Sequence, residues 1–344
     1  MKIVAGLFFA LFLTIALLLS APAIYRGYQQ TGELSLSNAF NGGWTSLYDT
    51  EFSDVAPMRE GGLTLWGVFE FLVFEDGRKG VLIGEDGWLF TDEEFEYSKD
   101  RDEIYARNLK AIGAAHQVFQ ADDVELIIAL IPAKARVEEA RLGRYSYPVY
   151  NHDIYAQTLS AIRELGISAS DLHEKLSNTE NAFLKTDTHW SPIGARAVSD
   201  VLSETVFLQA PPVTITLKKV EAEDLEGDLK RYVPAGSLLD QEDLAQEKAV
   251  YVDSTHDEAS LFGEITFPVA LVGTSYSADT RWNFEAYLRA GLQANILNAS
   301  DKGHGPFKVM RDYLVSDTYT NSKPEVVIWE IPERYLVLPE KDKG

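Results

Sequence analysis

Two short stretches carry side chains that could do chemistry together. Asp187 and His189 lie two positions apart in "TDTHWS" (186–191), and Ser275 stands in "VGTSYS" (272–277). In extended backbone, side chains two apart project to the same side. The Asp187 carboxylate can therefore steer the His189 imidazole, hold its tautomer and stabilise its imidazolium. A serine hydroxyl delivered to that imidazole becomes a nucleophile for acyl transfer. Each stretch also has a plainer reading: Asp-Thr as a helix entry beside an exposed histidine, and Thr274, Ser275 or Ser277 as a helix cap. The combination favours chemistry, because both stretches precede helices on loops that can reach one edge of a sheet.

The surrounding pattern supplies that sheet. Residues 124–132, 267–273 and 325–332 are continuous apolar runs of strand length, with a further short strand expected over 167–172. Helical spacing fills 102–120, 155–166, 193–207 and 277–291, with Ser191 and Pro192 at the N-cap and first turn of the third of these. Residues 81–83 and 88–90, joined by Gly84-Glu85-Asp86-Gly87, read as a hairpin. Doubly apolar strands interleaved with helices predict an α/β fold, a mainly parallel sheet sandwiched by helices. Ser275 then falls just past a strand end, where such sheets place reactive groups. Gly273 frees the turn, and the backbone N–H of Ser275, at a helix start, can receive an oxyanion. The polar stretch 221–234 reads as an excursion over the surface.

Bulk properties limit the function. The 344 residues hold 53 acidic and 31 basic side chains, a net charge of −22 that argues against nucleic acid as a partner. The chain has no cysteine, so thiolate chemistry, disulfides and cysteine-held metals are excluded. His152-Asp153 and His256-Asp257 could join Asp187 and His189 around a metal, but no ligand pair has metal spacing, and no metal or cofactor is expected. His116, His173 and His304 read as surface residues. Residues 3–25 are uncharged and long enough to cross a bilayer, with Lys2 before them. They predict a signal anchor or signal peptide over 1–25, a linker or arm over 26–60 and one domain over 61–344 outside the cytoplasm. Ala21-Pro22-Ala23 has the small residues of a cleavage site, with an awkward proline between them.

The stretches "DTHWSPIGA", "GTSYSADTRWNF", "GEDGWLF" and "VVIWEIPERYL", in their order along 61–338, resemble the alginate O-acetyltransferase family, the AlgJ/AlgX type of the SGNH-hydrolase superfamily. The resemblance implies an SGNH-hydrolase-like fold and a Ser-His-Asp triad of Ser275, His189 and Asp187. It also implies transfer of an acetyl group through an acyl-serine to a hydroxyl of an exopolysaccharide in the periplasm. The implied partners are the polysaccharide acceptor, a membrane-bound O-acyltransferase that hands on the acetyl group, and the inner membrane through residues 3–25. The order Asp, His, Ser departs from general SGNH hydrolases, so only the Ser275 N–H is carried over as an oxyanion donor. A carbohydrate esterase with the same triad, or a non-catalytic polysaccharide-binding subunit, would also fit.

Candidate substrate contacts are Trp190, Tyr276, Arg281, Trp282, Asn283 and Lys134. Trp190 could wall the site or fill the core. Lys134, Arg136 and Arg281 could relieve the repulsion between an acidic protein and a polyuronate, or serve in ordinary salt bridges. Glu330 and Arg334 are expected to tie the last strand to its exit loop.

Overall fold

The computed structural model describes residues 79–233, 247–256 and 266–340, together with positions 14, 18, 21, 22 and 25. Apart from those isolated positions, the expected anchor over 3–25 and arm over 26–60 lie outside the described residues, as does the expected domain start at 61. Among the described residues no helix is long and apolar enough to cross a membrane. The compact unit Gly77–Gly344 holds everything that follows.

In chain order the strands are β1 (Val81–Ile83), β2 (Leu89–Thr91), β3 (Glu125–Ile131), β4 (Ile215–Leu225), β5 (Glu247–His256), β6 (Val269–Val272), β7 (Ile296–Asn298) and β8 (Val326–Pro332). The helices are α1 (Arg101–Ala121), α2 (Lys134–Val137), α3 (Ile154–Glu164), α4 (Leu172–Ser177), α5 (Pro192–Thr205), α6 (Ser275–Ala278), α7 (Phe284–Leu292), α8 (Pro306–Leu314) and α9 (Asp317–Asn321). A four-stranded sheet, ordered β3-β8-β6-β7 with every pair parallel, forms the centre. Its strands are buried on both faces, which is why they read as unbroken apolar runs rather than alternating ones.

One face presents Ile127, Ala129, Leu271 and Ile328 to a layer built from Leu172, Val198, Leu202, Phe284 and Leu288. The opposite face presents Ile128, Leu130, Val272 and Trp329 to Ile112, Phe119, Leu159, Ile162, Phe307 and Met310. The sheet is thus sandwiched, and its strands end along one common edge. α5 opens as its sequence dictates: Ser191 Oγ accepts the N–H groups of Ile193 and Gly194, and Pro192 fills the first turn.

Three expectations need correction. Residues 167–172 form no strand; Ser168 makes a single bridge to Ile127, and Asp171 already caps α4. The helix expected over 277–291 is broken, because Asn283 adopts a left-handed conformation (φ 58°) between a 3-10 turn at Thr280–Trp282 and α7. The stretch 221–234 is no loose excursion: its start is the end of β4, paired antiparallel with β5, and its middle returns to the Asp187 loop.

Candidate active site

The end of β6 feeds straight into α6, and the division of labour among its hydroxyls answers the capping question. Thr274 is the N-cap, its Oγ1 accepting the Tyr276 N–H, so Ser275 is released from that task. Ser275 Oγ instead lies 2.7 Å from His189 Nε2. Among the described residues no acceptor meets the Ser275 N–H, which lies in the first turn of α6.

His189 comes from the loop that precedes α5. Its Nδ1 lies 2.6 Å from Asp187 Oδ1, and the same oxygen accepts the His189 backbone N–H at 3.0 Å. Asp187 is fully buried and its other oxygen accepts the Asp228 N–H at 3.0 Å. Burial alone would raise the Asp187 pKa, yet the hydrogen bonds from His189 and Asp228 hold it below the ordinary carboxylate value. With the carboxylate ionised, Nδ1 donates to it and Nε2 is left to accept the Ser275 hydroxyl proton. The arrangement can therefore move a proton off Ser275 and steady the imidazolium that results. Trp282 stacks on the imidazole at 5.1 Å with 23° between the planes and donates Nε1–H to the Ser275 carbonyl. Its indole fixes the imidazole's plane and the serine's backbone together.

The loop itself is clamped from two sides. Lys134, buried, donates its ammonium to the carbonyls of Leu89 (2.6 Å), Asp187 (2.9 Å) and Lys185 (3.0 Å). Burial drives its pKa down to about 8, with the surrounding carboxylates resisting that fall. On the other side Glu247 accepts the N–H groups of Lys185 and Thr186, and Asp228 accepts that of Thr188 at 2.8 Å. Gly227 lets Asp228 approach, since a Cβ there would stand 2.1 Å from the Thr186 carbonyl.

The other candidate contacts separate clearly. Trp190 is fully buried against Tyr276 and Phe284 and fills the core. Tyr276 is buried, its hydroxyl donating to the Thr188 carbonyl at 2.7 Å, so it braces the loop. Trp282 and Asn283 are buried as well, the first against His189 and the second in the left-handed hinge before α7. Lys134 is buried with its ammonium turned to the three carbonyls. These five were expected to meet substrate, and burial corrects that. Arg281 alone is partly exposed, at 35% of its side chain, while ion-paired to Asp279 at 2.7 Å and lying over Trp282. Arg136 and Arg334 are also structural, pairing with Glu333 and Glu93. Glu330 does not tie the last strand to its exit loop as expected; it accepts hydrogen bonds from Thr274 and Ser277.

Two residues that shape the site, Asp228 and Glu247, carry no expectation from the sequence, and Glu330 shapes it in a role other than the expected one. Glu330 had a legible signal, one carboxylate inside an apolar strand. Asp228 and Glu247 had none, lying 41 and 62 residues beyond the groups they hold. Asp187, His189 and Asp228 bring three possible metal-ligand atoms within 4.8 Å of one another. Those atoms are already engaged, Asp187 with His189 and the Asp228 amide, and Asp228 with Thr188. His152 is turned to the Tyr147 carbonyl instead.

A parallel sheet sandwiched by helices, with a Ser–His–Asp hydrogen-bond chain at its carboxyl edge, defines a hydrolase-like α/β protein. Residues 81–333 match the family model described as "SGNH hydrolase-like domain, acetyltransferase AlgX". A relative named "Probable alginate O-acetylase AlgJ" from Pseudomonas syringae pv. tomato is 34% identical over 96% of this chain and 88% of its own. A relative of the same name from Pseudomonas aeruginosa is 35% identical over 84% of this chain and 78% of its own. The solved O-acetyltransferase domain of Pseudomonas putida AlgJ superposes with a TM-score of 0.71 at 33% identity, covering 77% of this chain and 95% of that one. The chain belongs to this SGNH hydrolase-like acetyltransferase family.

Proposed function

We infer that the protein is an O-acetyltransferase that carries an acetyl group on Ser275 and delivers it to a hydroxyl of alginate or a similar exopolysaccharide. The observation that carries this reading is the unbroken chain from Ser275 Oγ through His189 to the buried Asp187. His189 Nε2 takes the Ser275 proton as Oγ attacks the carbonyl carbon of an acetyl donor, and the Ser275 N–H receives the oxyanion. Collapse expels the donor group, which takes the proton back from His189. A sugar hydroxyl then gives its proton to His189, attacks the acyl-serine and leaves as the acetyl ester, restoring the Ser275 hydroxyl. The names and identities of the AlgJ relatives support alginate as the acceptor.

A polyuronate must approach a chain of net charge −22. Asp279, just past α6, holds two cations at once, Arg281 at 2.7 Å and Lys302 at 2.9 Å. Those hydrogen bonds keep its pKa below the ordinary carboxylate value although burial opposes them. The backbone N–H of Asp301, next to Lys302, donates to the Gly273 carbonyl at 3.1 Å, so the trio borders the serine turn. This supports an acceptor whose carboxylates meet Arg281 and Lys302. We further propose a periplasmic location, anchored by residues 3–25, with the acetyl group handed over by a membrane-bound O-acyltransferase.

Incubating the purified chain with p-nitrophenyl acetate, with and without an oligouronate, tests the reading. Acetylated sugar that forms only with intact Ser275 is the expected result. Acetate release without any sugar ester would overturn transfer in favour of hydrolysis, and full sugar acetylation by Ser275→Ala would remove the acyl-serine altogether.

A further inference from the structure

β8 holds one carboxylate in an apolar run that is buried along its whole length. Trp329 stands opposite Val272, so the register sets Glu330 beside Gly273, at the start of the serine turn. A bare carboxylate there would be strongly disfavoured. The turn compensates it: the Thr274 N–H donates to Oε2 at 2.6 Å, and the hydroxyls of Thr274 and Ser277 donate at 3.1 Å. Gly273 is pressed so close that a Cβ would stand 2.4 Å from Oε2. Arg334, from the turn after β8, and the Tyr276 hydroxyl are the titratable groups that act on Glu330.

We propose that Glu330 is a positioning residue for the Ser275 reaction, its buried carboxylate fixing the turn that aims Ser275 Oγ at His189 and Ser275 N–H at the oxyanion. The role rests on the acyl-serine reading above. It acts through Thr274, whose N–H and hydroxyl both meet Glu330 while the same hydroxyl caps α6. Once ionised, the carboxylate accepts all of these donors, whereas an amide of the same shape, like the protonated acid, turns a hydrogen toward one of them. The turn must then shift to relieve that clash, and a displacement of a few tenths of an ångström at Ser275 is felt in the rate more than in donor affinity.

The test measures acetylation of the full-length chain by p-nitrophenyl acetate, by stopped flow and by intact mass. Glu330→Gln is expected to lower the maximal acetylation rate roughly tenfold while KM for the ester stays within about twofold. Thr274→Val, which removes the hydroxyl that relays the contact, is expected to lower it by a similar factor. The double variant should be little worse than either, because both break one linkage. A Glu330→Gln rate equal to wild type, or full additivity with Thr274→Val, would overturn the positioning role while a blank Ser275→Ala control left the acyl-serine standing. Acetylation of Ser275→Ala at the wild-type rate would overturn both.

Discussion

The two sides of the site are held in opposite ways. The Asp187–His189 loop borders a buried cation, with two of its carbonyls drawn inward onto Lys134 beside that of Leu89 from β2, and three amides directed outward to Glu247 and Asp228. The Ser275 turn sits on a buried carboxyl group, Glu330, which gathers an amide and two hydroxyls. The difference follows from what each side must leave unsatisfied. The loop can spend its backbone groups freely because its work is done by side chains. The turn must keep one N–H unspent for a negative charge, so its neighbours take up Glu330 and Ser275 stays clear of it.

The comparison can be broken most severely at the shared hydrogen-bond chain. Ser275→Ala or Asp187→Asn should reduce acetyl transfer by roughly three orders of magnitude or more, read as acetylated oligouronate by mass spectrometry. Folding stability should barely change for Ser275→Ala, which separates chemistry from support.

Removing the cation should cost fold before chemistry. Lys134→Met leaves three carbonyls without their donor and removes the positive charge near Glu247, Glu94, Asp187 and Asp228, and a loss of about 4 kcal/mol is expected in urea unfolding. The equivalent change on the other side, Glu330→Gln, acts through pH. Burial raises the Glu330 pKa from the ordinary 4.5 to about 7, so its protonated form is the one the fold favours. Its contribution is complete below pH 4.5 and is lost as pH rises through 7, where ionisation in the core must be forced. Wild-type stability should therefore fall by about 3 kcal/mol across that window relative to Glu330→Gln, whose profile loses this component. Equal profiles in chemical denaturation would show that Glu330 does not titrate there.

The smallest effect belongs to the rim. Lys302→Ala should raise KM for an oligouronate roughly threefold at low salt, with the difference shrinking as salt is added, because an exposed charge acts through a screened field. A salt-independent difference would mean that Lys302 shapes the loop and does not meet the acceptor.

How much of this was legible depended on separation along the chain. The buried strands over 124–132 and 325–332, the Ser191–Pro192 helix start and the hairpin around Gly84–Gly87 are local signals, and they fold as read. The break at Asn283 was not legible, because a left-handed residue leaves helical spacing on either side intact. Asp187, His189 and Ser275 could be picked out as types, but their meeting spans 86 residues and depends on the sheet. The aromatic candidates misled for a physical reason: beside an imidazole that must be kept dry and oriented, Tyr276 and Trp282 serve as walls with Trp190 packed behind Tyr276, and residue type does not distinguish a wall facing protein from one facing solvent.

The ammonium of Lys134 also touches the Leu89 carbonyl, and the Leu89 N–H returns a bond to the Lys185 carbonyl at 2.8 Å. The small hairpin near residue 90 is therefore stitched into the far loop, closing a ring across almost 100 positions of sequence. Anyone trimming the protein to a minimal reactive fragment would have to cut upstream of Val81, since a fragment begun at α1 would keep every reacting atom and lose the strut that aligns two of them.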